Sequence, residues 1–379
     1  MTPIRVVAFV EAASVTGPAG NLIRFCKMTR RRDEISVSVA AFHRGAGSQP
    51  PSNPFFDALA RAGIEVDLIR ERRRFDSGVV RQMREIAERR SADIVQTHAV
   101  KSHFLARYGG LHRRHRWIAF HHGYTAEDFK MRLYMGLDNW SLRGARRVVT
   151  VCGPFAKMLA AKRGVPPDRI EVVPNSIEPL PPPDPSAIQA LSRNLALPEN
   201  ARVLLSIGRF SSEKGHIDLL RAFELLNKPD LRLVLVGSGI DRPRLEKAVA
   251  SCRIGGQVIF AGQQRDVWPY YGLADVFVLP SLSEGSPNVL LEAMAARTPI
   301  VATAVGGVPE TVQHESTALL TPPQSPQELA AAISRVLNSS DLAERLTTNA
   351  YARVTENFSP QSYYDRLRRI YSRVIAEPL

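Results

Sequence analysis

A chain of 379 residues is long enough to bury two hydrophobic cores, and a composition of 44% hydrophobic and 23% charged residues excludes a disordered or fibrous protein. The longest uncharged apolar runs have the length of strands, so no membrane-spanning helix is predicted. The net charge of +13 lies in the first half: residues 1–180 contain 30 Lys and Arg against 17 Asp and Glu, whereas residues 181–379 contain 20 of each.

The basic residues of the first half are clustered, which favours attraction to polyanions such as anionic lipid headgroups, nucleic acid or a phosphorylated acceptor. A solvated surface kept for solubility is the alternative interpretation. Because the asymmetry follows the predicted domain division, we favour contact with an anionic membrane or acceptor. The clusters are Arg30-Arg31-Arg32, Arg72-Arg73-Arg74, Arg113-Arg114-His115-Arg116 and Arg146-Arg147.

The N-terminus runs directly into a strand pattern, without the apolar segment and small-residue cleavage site of a signal peptide. Cys26, Cys152 and Cys252 are far apart and odd in number, which favours reduced thiols over a disulfide framework. We therefore expect a cytoplasmic protein, and leave open a peripheral position at the inner face of the plasma membrane.

Short apolar runs rich in Val and Ile alternate with helical patterns, which is typical of a parallel sheet with crossover helices. The alternation occurs twice and predicts two doubly wound units. The predicted strands are 4–10, 35–42, 65–69, 93–98, 116–121, 146–152 and 170–174 in the first unit, and 202–208, 232–237, 258–262, 274–280, 299–303 and 318–321 in the second.

A proline-rich run, 179–185, separates the two patterns, and its prolines favour an extended, semi-rigid linker. At the other end, Ser359 as N-cap and Pro360 at the first helical position predict a terminal amphipathic helix. The fold class is α/β with two Rossmann-like doubly wound domains. The predicted boundaries are 1–178, a linker at 179–200, 201–358, and a terminal helix at 359–379.

The most informative segment is 279–295, in which a buried strand ends at Pro280 and a Gly-containing loop leads into a helix. Ser286 is predicted as the N-cap and Pro287 as the first helical residue. Ligands of open α/β sheets bind at the carboxyl ends of strands. The free N–H groups of Asn288, Val289 and Leu290, together with the helix dipole, are therefore expected to bind a diphosphate.

Glu284 and Glu292 flank this turn, and eight helical positions would separate them by about 12 Å. The pair is thus not expected at the roughly 5 Å spacing of a retaining glycosidase. Carboxylates accept hydrogen bonds from vicinal hydroxyls, so two of them around a phosphate site indicate a sugar nucleotide. A solvated helix face would be the interpretation for two glutamates outside such a loop.

The Glu-x7-Glu spacing from Glu284 to Glu292, followed by Pro-Ile-Val-Ala-Thr at 299–303 and Val-Gly-Gly-Val-Pro-Glu at 305–310, resembles the signature of glycosyltransferase family 4. One departure is Arg297, where the family usually has glycine; we expect it to alter the turn and leave the chemistry intact. The resemblance implies the GT-B architecture, in which two Rossmann-like domains face a central cleft. It also implies that the terminal helix from Pro360 returns to the first domain.

Arg209 and Lys214 flank the loop after Gly208, and preorganised cations stabilise the charge that develops on a departing diphosphate. The resemblance assigns both residues to the donor diphosphate; surface charges on a strand-to-helix loop are the alternative. Glycine turns at Gly17 and at Gly237 and Gly239 resemble the family's loops near the acceptor and the nucleotide, although each is also typical of an ordinary tight turn.

His122, in the strand-end sequence His121-His122-Gly123, resembles the family's His-Gly and would lie beside the donor sugar. Whether His121 or His122 has that role stays open, and a histidine on an apolar strand is also typical of a core residue. His98, at the end of an earlier strand, is undecided in the same way.

The resemblance implies retaining transfer of a hexosyl group from a nucleotide-linked sugar, which we expect to be UDP- or GDP-linked, to a saccharide or lipid-linked acceptor. By analogy with the family, the process would be synthesis of cell-surface polysaccharide or glycolipid. No Asp-x-Asp pair or zinc-type cluster is found, so we expect neither a metal nor another cofactor. The rival enzymes are a sugar-nucleotide 2-epimerase and a glycan phosphorylase, the latter without a motif for a pyridoxal phosphate lysine. A basic nucleic-acid-binding module is the rival from another class, although no reading motif supports it.

Overall fold

A computed structural model describes residues 2–12, 14–15, 17–44, 53–72, 76–123, 129–178 and 180–378, with side chains except at 129–133. Thr16, Arg73, Arg74 and Pro179, which contribute to the predictions above, lie outside these residues. The chain divides into two compact units. The first comprises Met1–Ser176 together with Pro360–Leu379, and the second is Ile177–Ser359.

The first unit contains a seven-stranded parallel sheet in the order β3-β2-β1-β4-β5-β6-β7. The strands are β1 (Ile4–Val10), β2 (Ile35–Arg44), β3 (Val66–Glu71), β4 (Ile94–Thr97), β5 (Arg116–His121), β6 (Arg147–Thr150) and β7 (Ile170–Val172). The helices that connect them are α1 (Gly17–Thr29), α2 (Pro54–Arg61), α3 (Gly78–Arg89), α4 (Val100–Tyr108), α5 (Phe129–Leu142) and α6 (Gly153–Arg163).

The second unit contains a six-stranded parallel sheet in the order β10-β9-β8-β11-β12-β13. The strands are β8 (Arg202–Ile207), β9 (Leu231–Val236), β10 (Val258–Gly262), β11 (Val276–Leu279), β12 (Ile300–Thr303) and β13 (Leu319–Thr321). The helices are α7 (Pro185–Asn194), α8 (His216–Leu226), α9 (Arg242–Ala250), α10 (Trp268–Leu273), α11 (Asn288–Ala295), α12 (Val308–Thr311), α13 (Pro326–Leu337) and α14 (Ser340–Asn357).

The central strands of both sheets are buried on both faces, as parallel strands covered by helices must be. All four residues of β4, β11 and β12 are buried, for example. Each predicted strand corresponds to an observed one, and the α/β fold class with two Rossmann-like sheets is confirmed. In each sheet the strand order reverses once, between β1 and β4 and between β8 and β11. Open α/β sheets bind ligands at this point of reversal.

The segment 179–200, predicted as a proline-rich linker between the domains, instead contains α7 and belongs to the second unit, although Asp184 before the helix is extended as the proline run predicts. Pro185 starts this helix, since a proline at the first helical position removes an N–H that would have no partner there. The Asp184 carboxylate accepts a hydrogen bond from the Ser186 N–H at 2.9 Å and caps the helix. The Trp268 indole donates to the Pro181 carbonyl at 2.8 Å, which ties this segment to the second unit.

The last helix, α15 (Pro360–Ala376), packs within the first unit against α1. It starts at the residue that the Ser-Pro signal predicts. The rings of Tyr363, Tyr364 and Tyr371 all lie within 6.1 Å of the Phe25 ring, centroid to centroid. Among the described helices, none combines the length and the apolar character needed to span a bilayer.

Candidate functional site

The predicted donor-site residues of the second unit gather where β8 and β11 end, at the point where the order of this sheet reverses. Lys214 closes a single 3-10 turn after β8, and Glu284 lies in the loop after β11. The Lys214 ammonium donates to Glu284 Oε1 at 2.7 Å. The Ser281 hydroxyl donates to the same oxygen, also at 2.7 Å. The structure therefore brings the two sequence motifs together through a nearly buried ion pair.

Backbone contacts hold these loops in place. The Leu282 N–H donates to the Glu213 carbonyl at 2.8 Å, which links the loop after β11 to the turn after β8. Gly306 has a φ of 51°, and a Cβ there would lie 1.9 Å from the Glu284 carbonyl oxygen, so no other residue fits without a shift. The Gly307 N–H donates to that same oxygen at 3.1 Å. The Gly-Gly sequence thus supports the backbone of Glu284.

The glycines predicted beside the nucleotide form a tight crossing of two strand ends. Gly237, after β9, has a φ of 143°, and a Cβ there would lie 1.9 Å from the Gly208 carbonyl oxygen. A Cβ on Gly239 would lie 2.2 Å from the carbonyl oxygen of Phe210. This crossing accounts for Gly237 and Gly239 by close backbone approach, which is the tight-turn alternative, whereas a Cβ on Gly208 would lie 4.0 Å from its nearest neighbour, the Lys214 side chain.

Arg209 is exposed, and no hydrogen bond or ion pair of its side chain is found within the described part of the chain. It lies in the same loop as Lys214, between Gly208 and the 3-10 turn. Its charge is therefore available to an anion from outside the protein, whereas the charge of Lys214 is compensated by Glu284.

The start of α11 differs from the prediction. The helix begins at Asn288, Pro287 is extended with φ −72° and ψ 117°, and Ser286 is one residue too early to be the N-cap. The Leu290 N–H, expected to be free, donates to the Pro287 carbonyl at 3.1 Å. Of the three amides assigned to a diphosphate, that of Leu290 is thus used within the helix itself, because Pro287, the residue before the helix, provides its carbonyl to the first turn.

Glu292, within α11, has a separate partner. The Tyr271 hydroxyl on α10 lies 2.8 Å from Glu292 Oε2. Burial, then the Glu292 carboxylate, raises the pKa of the Tyr271 phenol well above its usual value, so the phenol stays protonated and donates. Glu284 and Glu292 are thus held by different groups of the protein.

Arg297, the departure from the family pattern, has a φ of 57°, in the left-handed region that glycine favours. The turn adopts this conformation despite the side chain. The Arg297 guanidinium lies 4.0 Å from the centroid of the Tyr351 ring, and this cation–π contact offsets part of the backbone cost.

The first unit has a pocket of about 290 Å³ where its own sheet order reverses, at the ends of β1, β4 and β5. Its wall includes Glu11, Pro18 and Gly123, and four histidines, His98, His103, His121 and His122. Gly17, the predicted glycine of the first loop, is the first residue of α1, beside Pro18. The structure therefore places the predicted His-Gly and the start of the glycine loop around one pocket.

The two candidate histidines of this pocket are neutral at physiological pH. Burial, opposed by the Asp138 carboxylate, lowers the pKa of His121 to about 4. Burial, together with His121 and His103, lowers the pKa of His122 to about 3. His103 is held by Asp138, with Nδ1 2.7 Å from Oδ1 and both side chains buried. Asp138 also lines the pocket, and nothing in the sequence around it signals this position.

Sequence reasoning missed the groups that hold the predicted residues. Tyr271 lies in a short helix outside any motif, and Asp138 is 35 residues from His103. Ser281 lies inside the segment 279–295, but no sequence pattern indicates a role for it. Where the structure describes His, Cys, Asp and Glu side chains, no group of three or more is arranged to hold a metal ion.

Comparison with known proteins agrees with these observations. Residues 24–179 match the family model described as Glycosyltransferase Family 4, and residues 187–353 match the model described as Glycosyl transferases group 1. Together the two matches span most of both units. The chain belongs to glycosyltransferase family 4.

Two curated relatives show how far the similarity to individual proteins extends. The chain is 32% identical over 224 residues to 2-deoxystreptamine glucosyltransferase of Streptomyces kanamyceticus, which covers 56% of this chain and 57% of that protein. It is 29% identical over 188 residues to N-acetyl-alpha-D-glucosaminyl L-malate synthase of Bacillus anthracis, which covers 49% of each. The chain spans about half the length of the curated relatives it matches.

The fold of this family 4 chain is GT-B, the fold of solved glycosyltransferases. The crystal structure of HepE of Anabaena in complex with UDP superposes with a TM-score of 0.83 at 20% identity, covering 97% of this chain and all of HepE. The structure of a glycosyltransferase from Rickettsia africae superposes with a TM-score of 0.81 at 19% identity, covering both chains completely.

Proposed function

We propose that this family 4 chain is a retaining glycosyltransferase that moves a hexosyl group from a UDP- or GDP-linked sugar to a saccharide or lipid-linked acceptor. Cell-surface polysaccharide or glycolipid synthesis is the process we infer. The observation that carries the proposal is the Lys214–Glu284 ion pair at the point where the second sheet reverses, beside the exposed Arg209. If these residues were only part of a solvated surface, the Glu284 carboxylate would face water. It is instead buried against the Lys214 ammonium and the Ser281 hydroxyl, which costs desolvation energy.

In the proposed reaction, the bond from the anomeric carbon to the diphosphate breaks, and the bond to the acceptor oxygen forms on the same face of the sugar. The acceptor proton passes to the departing phosphate oxygen. Arg209, Lys214 and the amides of Asn288 and Val289 stabilise the negative charge that accumulates on that oxygen. Glu284 and Glu292 accept hydrogen bonds from hydroxyls of the donor. No step in this scheme uses a metal ion.

We assign to His122 the contact with the donor sugar that the resemblance to the family implies. Neutral imidazole is suited to hydrogen bonding with a sugar hydroxyl, whereas a cation would favour an anionic group. We also assign Gly17 to donor binding, and the first domain as a whole to the acceptor.

Thermal denaturation with UDP-glucose, GDP-glucose and ADP-glucose tests the donor class. A donor present at a hundred times its dissociation constant stabilises the native protein by about 2.7 kcal/mol, and we expect this for the UDP or the GDP sugar alone. The free sugar glucose is the control. Equal stabilisation by all three would contradict base selection, and stabilisation by none would contradict the assignment to a nucleotide sugar. Formation of an epimerised donor without acceptor would favour the 2-epimerase.

We further propose that the first domain contacts anionic membrane, at a cytoplasmic membrane face. Four of its exposed large apolar side chains lie on α4 and α5: Tyr108, Tyr134, Leu137 and Trp140. The Arg107 guanidinium lies 4.8 Å from the Trp140 ring. Aromatic rings with arginines suit the headgroup region of a bilayer, and arginine is attracted to anionic lipid.

Co-sedimentation with vesicles of phosphatidylglycerol and phosphatidylcholine tests this contact. We expect binding at low ionic strength, release at high salt because screening removes the attraction, and several-fold weaker binding for Trp140→Ala. Ile240→Ala is the matched control, since Ile240 is 88% exposed and lies in the second domain, which has no excess of basic residues. Absence of vesicle binding at low salt would contradict the membrane proposal and leave the transferase proposal untouched.

A further inference from the structure

A line of buried hydrogen bonds connects the terminal helix to His122. The Tyr371 hydroxyl on α15 donates to Gln96 Oε1 on β4. Gln96 Nε2 lies 2.5 Å from His98 Nε2, and His98 Nδ1 lies 3.4 Å from His122 Nε2. The His98 and His122 rings are nearly parallel, with an interplanar angle of 8°. The line therefore runs from the back of the sheet to the pocket without leaving the first domain.

Each member of the line is uncharged. Burial raises the pKa of the Tyr371 phenol well above its usual value, so it keeps its proton and donates. Burial, followed by the neighbouring histidines His122 and His103, holds the pKa of His98 well below its usual value. His122 is neutral for the same reason. A neutral imidazole has one N–H and one lone pair, so each ring must take one of two tautomers.

The direction of the hydrogen bonds decides between them. Since Gln96 Oε1 accepts from Tyr371, the amide nitrogen faces His98 and donates to Nε2. The proton of His98 is then on Nδ1 and is donated to His122 Nε2. The proton of His122 must therefore be on Nδ1. This nitrogen is buried, and no hydrogen-bond partner for it is found among the described residues.

We propose that Gln96 and Tyr371 are positioning residues that fix His122 as the neutral tautomer with its proton on Nδ1. In this state the lone pair of His122 is occupied by His98, so His122 cannot accept a proton from a substrate. It can only donate, and the acceptor that fits is an uncharged oxygen of a ligand, such as a sugar hydroxyl or ring oxygen. The identity of the ligand as a sugar rests on the proposed function, whereas the tautomer does not.

Two substitutions remove the directing groups. In Tyr371→Phe the Gln96 amide has no donor to orient it, so its oxygen can face His98 and invert both tautomers. In Gln96→Met the side chain keeps a similar length, and nothing donates to His98 Nε2. In both variants we expect His122 to populate the two tautomers in comparable amounts. Tyr364→Phe is the matched control: Tyr364 lies on the same helix and is fully buried, and its hydroxyl contacts Glu34, 3.0 Å away, instead of the line.

Nitrogen-15 NMR of the full chain with labelled histidine reads the tautomer directly, without any ligand. The expected result is a protonated Nδ1 and an unprotonated Nε2 for His122 in the wild type and in Tyr364→Phe, and averaged shifts in Tyr371→Phe and Gln96→Met. The His122→Gln spectrum assigns the signals. A protonated Nε2 in the wild type, or unchanged His122 shifts in both line variants, would overturn the proposal.

A second readout separates this proposal from the transferase assignment. If only about half of the molecules present the Nδ1 proton, the affinity for UDP-glucose should fall about twofold in Tyr371→Phe and stay unchanged in Tyr364→Phe. The affinity for UDP, which lacks the sugar, should stay unchanged in both. The expected NMR spectra without binding of either UDP-glucose or GDP-glucose would support the line and contradict the proposed function. If Tyr371→Phe binds UDP-glucose more weakly while His122 keeps the wild-type tautomer, Tyr371 does not act through that tautomer and the proposal is contradicted.

Discussion

Glu284→Gln is expected to lower kcat/KM for sugar transfer by two to three orders of magnitude, or about 3–4 kcal/mol of transition-state stabilisation. Glutamine keeps the shape and removes the charge. The Glu284 carboxylate accepts hydrogen bonds from both Lys214 and Ser281 through a single oxygen. The other oxygen can accept a hydrogen bond from a hydroxyl group of the sugar donor. An amide at this position has one accepting oxygen only, so the variant loses either the internal contacts or the ligand contact. Steady-state transfer from the donor found in the thermal panel is the measurement.

Glu246→Gln is the control for this change. Glu246 is also ion-paired, to Arg242 at 2.8 Å, but both side chains are exposed on α9. Exposed pairs of this kind contribute about 0.3–0.5 kcal/mol, so neither activity nor stability should change much. Turnover of Glu284→Gln close to that of Glu246→Gln would remove Glu284 from the site.

Lys214→Met is expected to weaken binding of UDP at least tenfold by isothermal calorimetry, which corresponds to about 1.4 kcal/mol. Methionine keeps part of the aliphatic length and removes the charge that we assign to the diphosphate. The variant should also unfold at lower temperature, because Glu284 is buried and loses its counter-charge. Lys228→Met is the control, since the Lys228 ammonium donates to the Asn338 side chain in an exposed position.

Combining the two substitutions separates binding from folding. In Lys214→Met/Glu284→Gln no buried charge is left without a partner, so stability should return toward that of the wild type, while UDP binding stays weak. Recovery of UDP affinity together with stability would mean that Lys214 acts only on the structure. In that case the assignment of Lys214 to the diphosphate would be wrong.

The sequence was sufficient for the architecture because strands buried on both faces leave unbroken apolar runs. The runs ending at Pro280 and Thr303 are examples. The order of such apolar runs along the chain predicts that Lys214 and Glu284 each follow the end of a strand. The Gly306 position also follows from sequence, since a glycine beside a site loop often marks a close backbone approach.

The sequence could not predict which of several possible conformations or contacts a residue adopts when its neighbours in sequence allow more than one. Pro185 suits both an extended linker and a helix start, and the packing of α7 on α10 decides between them. Likewise, Lys214 was expected to face a diphosphate, and its contact with Glu284 depends on two loops 70 residues apart. Tyr371 and Gln96 are 275 residues apart, so no local pattern predicts their contact.

The return of α15 to the first domain has a consequence for how the chain acquires its structure during synthesis. The second domain is continuous, and the Ile177 N–H closes it by donating to the Phe358 carbonyl at 2.9 Å. All of its residues are therefore translated before those of α15. The first domain lacks Tyr364, Leu367 and Tyr371 of its core until that helix has been made. The domain that is begun first can therefore be completed only after the whole of the other has been translated.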